Sequence, residues 1–537
     1  MIGYDATRTY KAAVIGAGSG GLTLAMGLAG FGHDVVVIEG GAIGGDCTNV
    51  GCIPSKTLLH AARTGVDDPL AWTRAKRDDL ARREVDEMNE HERIHLVRGW
   101  ASLTASGDPH VVRVDDGETS QLVRAEHVVI AGGSQPITID IDGLDTDLVV
   151  TNEELFELES PPSTLLIVGG GAIAIEMATA FAALGTQVDI VELHDRLLFT
   201  EDPLITEVVE RSLCSQGVGL HLGTTIERFD MAAAHLADGT TVEGVDCVLM
   251  AIGRRPRLDD LALERAGVIA TRSGIVADGW GRTSVDRIWA VGDVTGNTLT
   301  THGAGAVGRR AVRAIALARL PKVGRLGAIP NATYGNPEVA SVGLSLDDLA
   351  RMAEASRRRI IVDHADIDRG YTDDIAEGRL VVDVERFTGR FLRAAIVGPG
   401  ASDLIGMFTI AIDNGIGLPK LFGTVHPYPS HAELIRRAAD DFARATFSNL
   451  PREWFAMARG RVGRALRTLT LALALASIRR CATRSTSCTG SSHRSRCEWS
   501  GSTTSSPAST HARIPPIKSL TSVKPRSSRL SAANDEL

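Results

Sequence analysis

Residues 44–56 hold two cysteines and a lysine at spacings that could support thiol chemistry. The stretch reads Gly-Gly-Asp-Cys-Thr-Asn-Val-Gly-Cys-Ile-Pro-Ser-Lys, with the cysteines at Cys47 and Cys52. Pro54 suits the first turn of a helix because its missing N–H would have no intrahelical partner there. Cys52 is therefore predicted at a helix N-terminus, where free backbone N–H groups and the positive dipole end favour a thiolate. Lys56 lies one turn further along the same face, so its ammonium group can approach the sulfur.

The cysteine spacing alone leaves three interpretations open. It fits a redox-active pair, half of a metal site, or two buried cysteines without a chemical role. The chain contains 7 cysteines in 537 residues, too few for the disulfide framework of a secreted protein. A disulfide between Cys47 and Cys52 would therefore be catalytic rather than structural.

The elements expected to position these cysteines begin with a nucleotide-binding motif upstream. An apolar strand at residues 12–15 leads into a Gly-Ala-Gly-Ser-Gly-Gly turn, an apolar helix, a second strand and Glu39. Gly16 permits the tight turn, Gly18 lets the backbone approach a pyrophosphate, and Gly21 lets the helix pack on the strand. Glu39 is predicted to accept hydrogen bonds from ribose hydroxyls. The complete motif predicts a bound dinucleotide.

A second copy of this motif starts at Gly169. Its Gly-Gly-Gly-Ala-Ile-Ala turn includes Gly171 and ends at Ala174, and Glu192 follows at the spacing of the acidic residue in the first copy. Two such units in one chain predict two dinucleotides bound face to face. Glu192 favours a free 2′-hydroxyl and hence NADH, although Arg196 nearby leaves NADPH open.

The cysteine stretch resembles the active-site signature of the class I pyridine nucleotide-disulfide oxidoreductases, which include dihydrolipoamide dehydrogenase, glutathione reductase and mercuric reductase. Asp46 and Thr48 depart from the commonest form, and Asp46 resembles the variant of mercuric-reductase-like members. The resemblance covers about residues 11–450 and implies FAD and NAD(P)H as cofactors, with Cys47 and Cys52 as the redox disulfide. The matching positions are Gly44, Gly45, Cys47, Asn49, Val50, Gly51, Cys52, Pro54 and Lys56.

The resemblance also implies roles for residues elsewhere in the chain. Glu176 would pair with Lys56 beside the flavin, whereas on an isolated helix it would be a solvated carboxylate. Asp293 would bind the ribityl chain of FAD. His302 opens a helix whose N-terminus could face the electron-rich end of the isoalloxazine. The alternative is that His302 is an ordinary residue at a helix start. Further cofactor contacts are expected in glycine turns, at Gly45, Gly133 and Gly253.

The expected fold class is α/β, with two Rossmann-like domains for FAD and NAD(P) and an α+β C-terminal dimerisation domain. A homodimer is implied by the resemblance, in which the end of one subunit completes the active site of the other. Beyond these domains, the Ser/Thr/Arg/Pro bias of the tail is typical of disorder. The predicted boundaries are 1–150 for the FAD domain with the redox disulfide, 151–279 for the NAD(P) domain, 280–325 for the return to the FAD domain, 326–450 for the dimerisation domain, 451–478 for a basic amphipathic helix and 479–537 for the disordered tail.

The segment expected to complete the active site departs from the thiol-disulfide reductases of the family. Those proteins carry His-Pro with a Glu five residues after the His, and the His is the general acid–base for the substrate thiol. Here the segment reads His-Pro-Tyr-Pro-Ser-His-Ala-Glu, and the fifth position before Glu433 is Tyr428. A tyrosine is therefore predicted at the acid–base position, as in mercuric reductases, where the equivalent residue contacts metal. His426 or His431 is the alternative if the backbone is shifted.

Composition limits the expected partners and location. The net charge of −9 gives no electrostatic reason to expect a nucleic acid. The chain reaches its first strand without a recognisable signal peptide, so a cytoplasmic location is expected. Residues 452–478 combine arginines with an apolar run of about eleven residues, whereas a bilayer span needs about twenty. Peripheral membrane contact through this segment is left open.

The expected function is that of an FAD-dependent NAD(P)H oxidoreductase with a Cys47–Cys52 redox disulfide. Hydride would pass from nicotinamide to flavin and electrons then to the disulfide, with Cys52 next to the flavin and Cys47 exchanging with substrate. A mercuric-reductase-like acceptor, Hg(II) or another thiophilic metal ion, is expected, with a small disulfide such as lipoamide as the alternative. A flavin- and NAD-binding sensor is the non-enzymatic alternative, against which the intact set with Lys56 and Glu176 argues.

Overall fold

The computed structural model describes residues 4–297, 299–317 and 324–448 of the chain. Helices cover the glycine-turn regions, the cysteine region and the C-terminal part. In chain order they are α1 (Ser19–Gly30), α2 (Gly45–Asn49), α3 (Cys52–Thr64), α4 (Pro69–Glu90), α5 (Ala172–Ala183), α6 (Pro203–Ser215), α7 (Leu263–Ala266), α8 (Thr301–Ala316), α9 (Leu346–Arg351), α10 (Asp368–Thr372), α11 (Ala401–Asp413), α12 (Leu418–Leu421) and α13 (Glu433–Phe447).

The strands form three larger sheets and several small ones. In chain order the strands are β1 (Thr9–Ile15), β2 (Val35–Glu39), β3 (Ile94–Arg98), β4 (Trp100–Leu103), β5 (His110–Asp115), β6 (Ser120–Ile130), β7 (Ser134–Pro136), β8 (Val149–Val150), β9 (Thr164–Val168), β10 (Gln187–Glu192), β11 (Gly219–Leu222), β12 (Ile226–Asp230), β13 (Ala233–Leu236), β14 (Thr241–Val242), β15 (Cys247–Met250), β16 (Arg254–Pro256), β17 (Ala270–Thr271), β18 (Gly274–Ile275), β19 (Ile288–Ala290), β20 (Asn331–Thr333), β21 (Val339–Gly343), β22 (Arg357–Asp363), β23 (Arg379–Glu385) and β24 (Phe391–Val397).

The first sheet carries the first nucleotide motif. Its order is β3-β2-β1-β6-β5-β4, with β19 paired to β6, and the central strands β2, β1, β6 and β19 run parallel. Alternate residues of β2 enter cores on opposite faces, Val35 and Val37 on one and Val36 and Ile38 on the other. This two-sided burial explains why the strand is apolar throughout. The pairing of β19 brings the chain back to the first sheet after the second one is complete.

The second sheet is entirely parallel and carries the second nucleotide motif. Its order is β11-β10-β9-β15-β8, and α5 follows β9 as α1 follows β1. Helix α6 begins where the Asp202 side chain accepts a hydrogen bond from the Leu204 N–H and Pro203 takes the first helical position. Helix and strand thus alternate from β9 to β11, as in a doubly wound sheet, and the small sheet β12-β13-β14 comes before β15.

The third sheet is antiparallel and lies in the C-terminal part. Its order is β20-β21-β24-β23-β22, and residues of α11 and α13 share its core. Buried ion pairs connect it with the start of α6: Arg393 contacts Glu201 at 2.5 Å and Arg359 contacts Asp202 at 2.9 Å. These pairs connect the third sheet with the segment that precedes α6, and because both acids are buried, removing either arginine would leave a buried charge uncompensated.

The α/β class with two nucleotide units and a separate C-terminal unit is confirmed. The domain boundaries stay predictions. The proposed amphipathic helix and the disordered tail beyond residue 450 lie outside the described residues. Within the described ranges, no helix is both long and apolar enough to cross a membrane.

Candidate active site

The two cysteines lie on two consecutive helices, the short α2 and the longer α3, at the edge of a large cavity. Cys47 belongs to α2, and Cys52 is the first residue of α3, with Gly51 as the preceding cap residue. Both are free thiols in this structure, Cys47 half-buried and Cys52 exposed. Cys52 therefore has the N-terminal helix position that the sequence predicts, where unpaired backbone N–H groups favour negative charge.

The two thiols differ in acidity because of their contacts. A hydrogen bond from Cys47 is the main cause that lowers the pKa of Cys52 to about 6. The Thr301 hydroxyl, 3.6 Å from Cys52 Sγ, and the Lys56 ammonium group lower it further. The pKa of Cys47 is raised, by the same hydrogen bond and by burial. Cys52 is thus the thiolate of the pair at neutral pH, and Cys47 is the protonated thiol.

Lys56 and Glu176 form an ion pair across two parts of the chain. Lys56 Nζ lies 2.9 and 2.8 Å from the two carboxylate oxygens of Glu176, whose side chain is only 6% exposed. Tyr334 supports both partners: its N–H donates to Glu176 Oε1 at 3.1 Å and its ring centroid lies 4.6 Å from Lys56 Nζ. These contacts hold the ammonium group in one position.

The first glycine turn has no room for side chains at two positions. A Cβ at Gly16, whose φ is +101°, would meet the Ala131 carbonyl oxygen at 2.4 Å, and one at Gly21 would meet the Gly16 carbonyl oxygen at 2.0 Å. Glu39 braces the same loop, since its carboxylate accepts the N–H groups of Ala17 at 2.6 Å and of Gly41 at 2.7 Å. The backbone at Gly18 and Gly45 faces the cavity.

The second glycine turn repeats this arrangement. Gly169 has a φ of +109°, and a Cβ there would meet the Ala251 carbonyl oxygen at 2.6 Å. Glu192 is buried and accepts the N–H groups of Gly170 at 2.5 Å and of His194 at 2.7 Å. Gly171 and Gly253 sit in turns of this second unit. Both acidic residues thus end a strand beside a glycine turn and hold its backbone.

A polar network joins the redox loop to both nucleotide units. Arg254 contacts the Asp46 carboxylate and donates to Ser134 Oγ at 2.9 Å and to Asn152 Oδ1 at 2.8 Å. Ser134 in turn donates to Asp293 Oδ2 at 2.7 Å, and burial raises the pKa of Asp293. The residue immediately before Cys47 is therefore connected to the residue expected at the ribityl chain.

Comparison with known proteins identifies the family. The family model described as pyridine nucleotide-disulphide oxidoreductase matches residues 10–314, and the model of its dimerisation domain matches residues 329–439. The chain belongs to the pyridine nucleotide-disulphide oxidoreductase family. It is an FAD-dependent enzyme that uses NAD(P)H, so the predicted family, enzyme class and cofactors are confirmed.

Relatives with two different substrates match almost their whole length. The chain is 34% identical to a dihydrolipoyl dehydrogenase from Chlorobaculum parvum over 80% of this chain and 96% of that protein. It is 33% identical to a mercuric reductase from Streptomyces lividans, over 81% of this chain and 96% of that protein. A solved structure, the Cu(II) complex of the HOCl-induced flavoprotein disulfide reductase RclA from Escherichia coli, matches with a TM-score of 0.73 and 28% identity, covering 81% of this chain and 99% of that one.

The cavity has the size and lining that the family's cofactors need. It measures about 1660 Å³ and extends from the first glycine turn past both cysteines to the second turn. Its walls include Asp293, Gly133 and His302, whose Nε2 lies 2.7 Å from the Pro330 carbonyl oxygen. The crowded glycine turn, the helix N-terminus behind it and the carboxylate of Glu39 fit the dinucleotide portion of FAD. When bound, FAD would accept hydride and would pass electrons to the disulfide form of the two cysteines.

The C-terminal segment lies apart from the cysteines within one chain. Tyr428 is 72% exposed and donates to Asp368 Oδ2 at 2.6 Å. His431 lies 3.6 Å from Asp373, and Glu433 is buried and bonded to Arg436 at 3.1 Å. None of the described residues that line the cavity comes from this segment, and His426 is therefore not in the lining either. A single chain therefore does not bring the predicted acid–base residues to the cysteines.

Three cavity residues escape the sequence analysis: Thr301, Tyr334 and Arg254. Thr301 contacts Cys52, Tyr334 contacts Glu176 and Arg254 contacts Asp46. Each contact joins distant parts of the chain, and no local spacing indicates it. Only Arg254 carries a usable signal, because it follows the turn at the carboxyl end of the buried parallel strand β15, where ligands bind in open α/β sheets. Of the remaining cysteines, Cys247 is buried, which raises its pKa to about 11, and Cys214 is exposed.

Proposed function

We propose that this oxidoreductase passes electrons from NAD(P)H through a Cys47–Cys52 redox disulfide to Hg(II) or another thiophilic metal ion. The acidity of Cys52 supports the proposal. A thiol with a pKa of about 6 is mostly thiolate at neutral pH, and thiolates are the preferred ligands of soft metal ions. Cys52 is exposed beside the half-buried Cys47, so that both sulfurs can act on one ion.

The observation that carries the choice of acceptor is the state of Tyr428. Its hydroxyl donates to the Asp368 carboxylate, and this hydrogen bond raises the pKa of Tyr428. Reduction of a disulfide substrate needs an acid that protonates the leaving thiolate, whereas reduction of a thiolate-bound metal ion does not. A tyrosine held in this way is a poor proton donor but remains exposed as an oxygen ligand.

The net reaction balances without an additional proton donor. NAD(P)H releases a hydride, which carries two electrons and one proton. Hg(II) takes up the two electrons and becomes Hg(0), and the proton is released to solvent. The protein's part is to hold Cys52 as a thiolate beside the protonated Cys47 and to fix the Lys56 ammonium through Glu176.

The test is oxidation of NADH and of NADPH by the purified yellow protein with Hg(II) and excess thiol, run beside oxidised lipoamide. We expect turnover with Hg(II), and a preference for NADH because the Glu192 carboxylate would repel a 2′-phosphate. Cys47→Ser and Cys52→Ser serve as controls, and each should abolish turnover while the flavin stays bound. Hg(II)-dependent oxidation that survives in both variants would refute the role of the pair.

A small-disulfide reductase is the second candidate, and His426 favours it. His426 is followed by Pro427, as the acid–base histidine is in thiol-disulfide reductases. Its Nε2 atom is buried and has no hydrogen-bond partner within the described part of the chain. A relative named dihydrolipoyl dehydrogenase is equally similar in sequence. Turnover with lipoamide that His426→Ala abolishes and Tyr428→Phe spares would establish this function instead.

We also propose a homodimer that completes the site. The matched dimerisation domain and the exposed apolar side chains of Ile410, Phe422 and Val425 support it. In such a dimer the segment of Tyr428 would reach the cavity of the other subunit. Light scattering after size-exclusion chromatography should give twice the chain mass of 56.9 kDa, and a monomer with full turnover would contradict the proposal.

A further inference from the structure

The residue before Cys47 makes an ion pair with an arginine from a distant part of the chain. Asp46 carries a carboxylate at this position, and its Oδ2 contacts Nη2 of Arg254. Arg254 begins β16, which pairs with β7, and lies 208 positions away in the chain. The pair therefore connects the redox loop directly with the strand that follows the second sheet.

The surroundings of Arg254 fix its position. Its Nε donates to Ser134 Oγ at 2.9 Å, its Nη1 to Asn152 Oδ1 at 2.8 Å and its Nη2 also to the Ser134 carbonyl oxygen at 3.0 Å. The side chain is 20% exposed, against 40% for that of Asp46. Arg254 thus contacts three neutral acceptors and one carboxylate. Among these four contacts, only that with Asp46 neutralises the guanidinium charge.

Each of two ion pairs has one member on the redox loop or the helix turn that follows it. Asp46, directly before Cys47, pairs with Arg254, and Lys56, four residues after Cys52, pairs with Glu176. A positive charge near a thiol favours the thiolate and so stabilises the reduced form over the disulfide. The charge balance around the redox loop thus depends on whether each cation keeps its acid.

We propose that Asp46 and Arg254 are positioning residues that together set the thiol–disulfide equilibrium of Cys47 and Cys52. This inference rests on the proposed function, because it requires that the pair be redox-active. The carboxylate cancels a guanidinium charge that would otherwise stabilise the Cys52 thiolate. The reduced state is thereby made a stronger reductant, which suits transfer of electrons to an external acceptor.

The two partners have opposite expected effects. Asp46→Asn keeps the shape but leaves Arg254 uncompensated, so the reduced form gains stability and the pKa of Cys52 falls. Arg254→Gln leaves the Asp46 carboxylate uncompensated, so the disulfide gains stability and the pKa of Cys52 rises. Because both side chains are partly exposed, we expect each change in the equilibrium constant to be about threefold to tenfold. A tenfold change corresponds to about 30 mV for a two-electron couple.

The test uses the flavin-bound full chain equilibrated in glutathione buffers of graded ratio. Reduction of the disulfide takes two electrons from two glutathione molecules, which form oxidised glutathione. At neutral pH one of their protons goes to Cys47, because Cys52 remains a thiolate. Acid quenching, alkylation and mass measurement then give the reduced fraction, and iodoacetamide rates across pH give the pKa of Cys52. Neither readout involves NADH or an acceptor.

A charge effect and a loosening of the loop give different results. Opposite shifts in Asp46→Asn and Arg254→Gln, with the double variant within about twofold of wild type, would support the proposal. Shifts of the same sign, or none in Asp46→Asn, would overturn it. Arg254→Lys keeps the charge and should shift the equilibrium less than Arg254→Gln. If the glutamine variant loses its flavin, Asp46→Asn and the lysine variant decide the question.

A remote variant controls for net charge. Asp348→Asn removes the carboxylate of a surface ion pair outside the cavity, in which Arg351 Nη1 lies 3.0 Å from Asp348 Oδ1. This variant should leave the thiol–disulfide equilibrium constant within about twofold of wild type. A wild-type protein that shows no thiol–disulfide transition at all would refute the proposed function. A normal wild-type transition with unshifted variants would refute only this inference.

Discussion

Replacing Cys47 by alanine tests the origin of the low pKa of Cys52. In the wild type the pKa of about 6 makes half of Cys52 a thiolate at pH 6 and about nine-tenths at pH 7. Alanine removes the hydrogen bond that contributes most to this pKa, while Thr301 and Lys56 remain. We therefore expect the pKa to rise to about 7 or 8, short of the ordinary value of 9.0.

The magnitude follows from two opposing effects. If the pKa rises to about 7, the thiolate fraction at pH 6 falls about fivefold, from one half to about one tenth. The more basic thiolate is about threefold more nucleophilic. Alkylation of the variant should thus be about twofold slower than that of the wild type at pH 6 and about threefold faster at pH 9. The two rate profiles should cross between these values.

The assay is iodoacetamide alkylation of the reduced, flavin-bound protein, with the labelled peptide quantified by mass. Cys47→Ser is the matched control, because a serine hydroxyl can still donate to the thiolate and should keep the inflection near pH 6. In the wild type, Cys47 should react later than Cys52, since its pKa is raised. An unchanged inflection in the alanine variant, or faster labelling of Cys47, would refute the assignment of the thiolate.

The same pKa predicts how the stability of the reduced protein depends on pH. Because the folded pKa of Cys52 lies below its unfolded value, the stabilisation is complete above about pH 9 and is lost as the pH falls through about 6. The melting temperature of the reduced wild type should therefore rise between these values relative to that of Cys52→Ser. Parallel curves for the two proteins would contradict this expectation.

Three further changes test other parts of the structure. Gly21→Ala would place a Cβ 2.0 Å from a backbone carbonyl oxygen of the same turn, so purified protein should contain little flavin, as absorbance would show. Glu176→Gln should lower NADH turnover and the melting temperature, because Lys56 loses its carboxylate, whereas Glu176→Asp should retain part of both. Arg393→Met should lower the free energy of unfolding by about 3–5 kcal/mol, because it leaves the buried Glu201 carboxylate unpaired. The loss should be larger at pH 8 than at pH 5, since protonation at low pH removes the charge of Glu201.

Matched variants separate these effects from general sensitivity to substitution. Gly30→Ala, at a helix end with no atom within 4 Å of the new Cβ, should bind flavin normally. Arg351→Met breaks an exposed pair and should change stability by less than about 1 kcal/mol at either pH. A similar loss in Arg351→Met and Arg393→Met would mean that burial does not decide the cost of an unpaired acid.

Much of the fold could be predicted because its determinants are local. A strand, glycine turn, helix and second strand lie within one short stretch, and the steric reason for each glycine acts between near neighbours, as Gly16 and Gly21 demonstrate. Likewise, Pro54 and the position of Cys52 are enough to predict a helix start there, which the structure contains. These features depend on backbone geometry, so the order of residue types is sufficient to predict them.

The partners of the redox loop depended on tertiary structure. Asp46 meets Arg254, Cys52 meets Thr301, and Lys56 is covered by Tyr334, and each contact joins chain segments more than 200 residues apart. Side chains so distant meet only after the sheets have packed, and the sequence spacing carries no information about that geometry.

The sequence by itself determined the two nucleotide-binding units, the acidic residues that end their second strands, and the reactive helix N-terminus at Cys52. The tertiary structure alone decided the charge balance around the thiols and the separation of Tyr428 from them within one chain. The physical reason is the range of the interactions. Backbone sterics act between neighbours in sequence, whereas electrostatic balance is a sum over groups that the fold brings together.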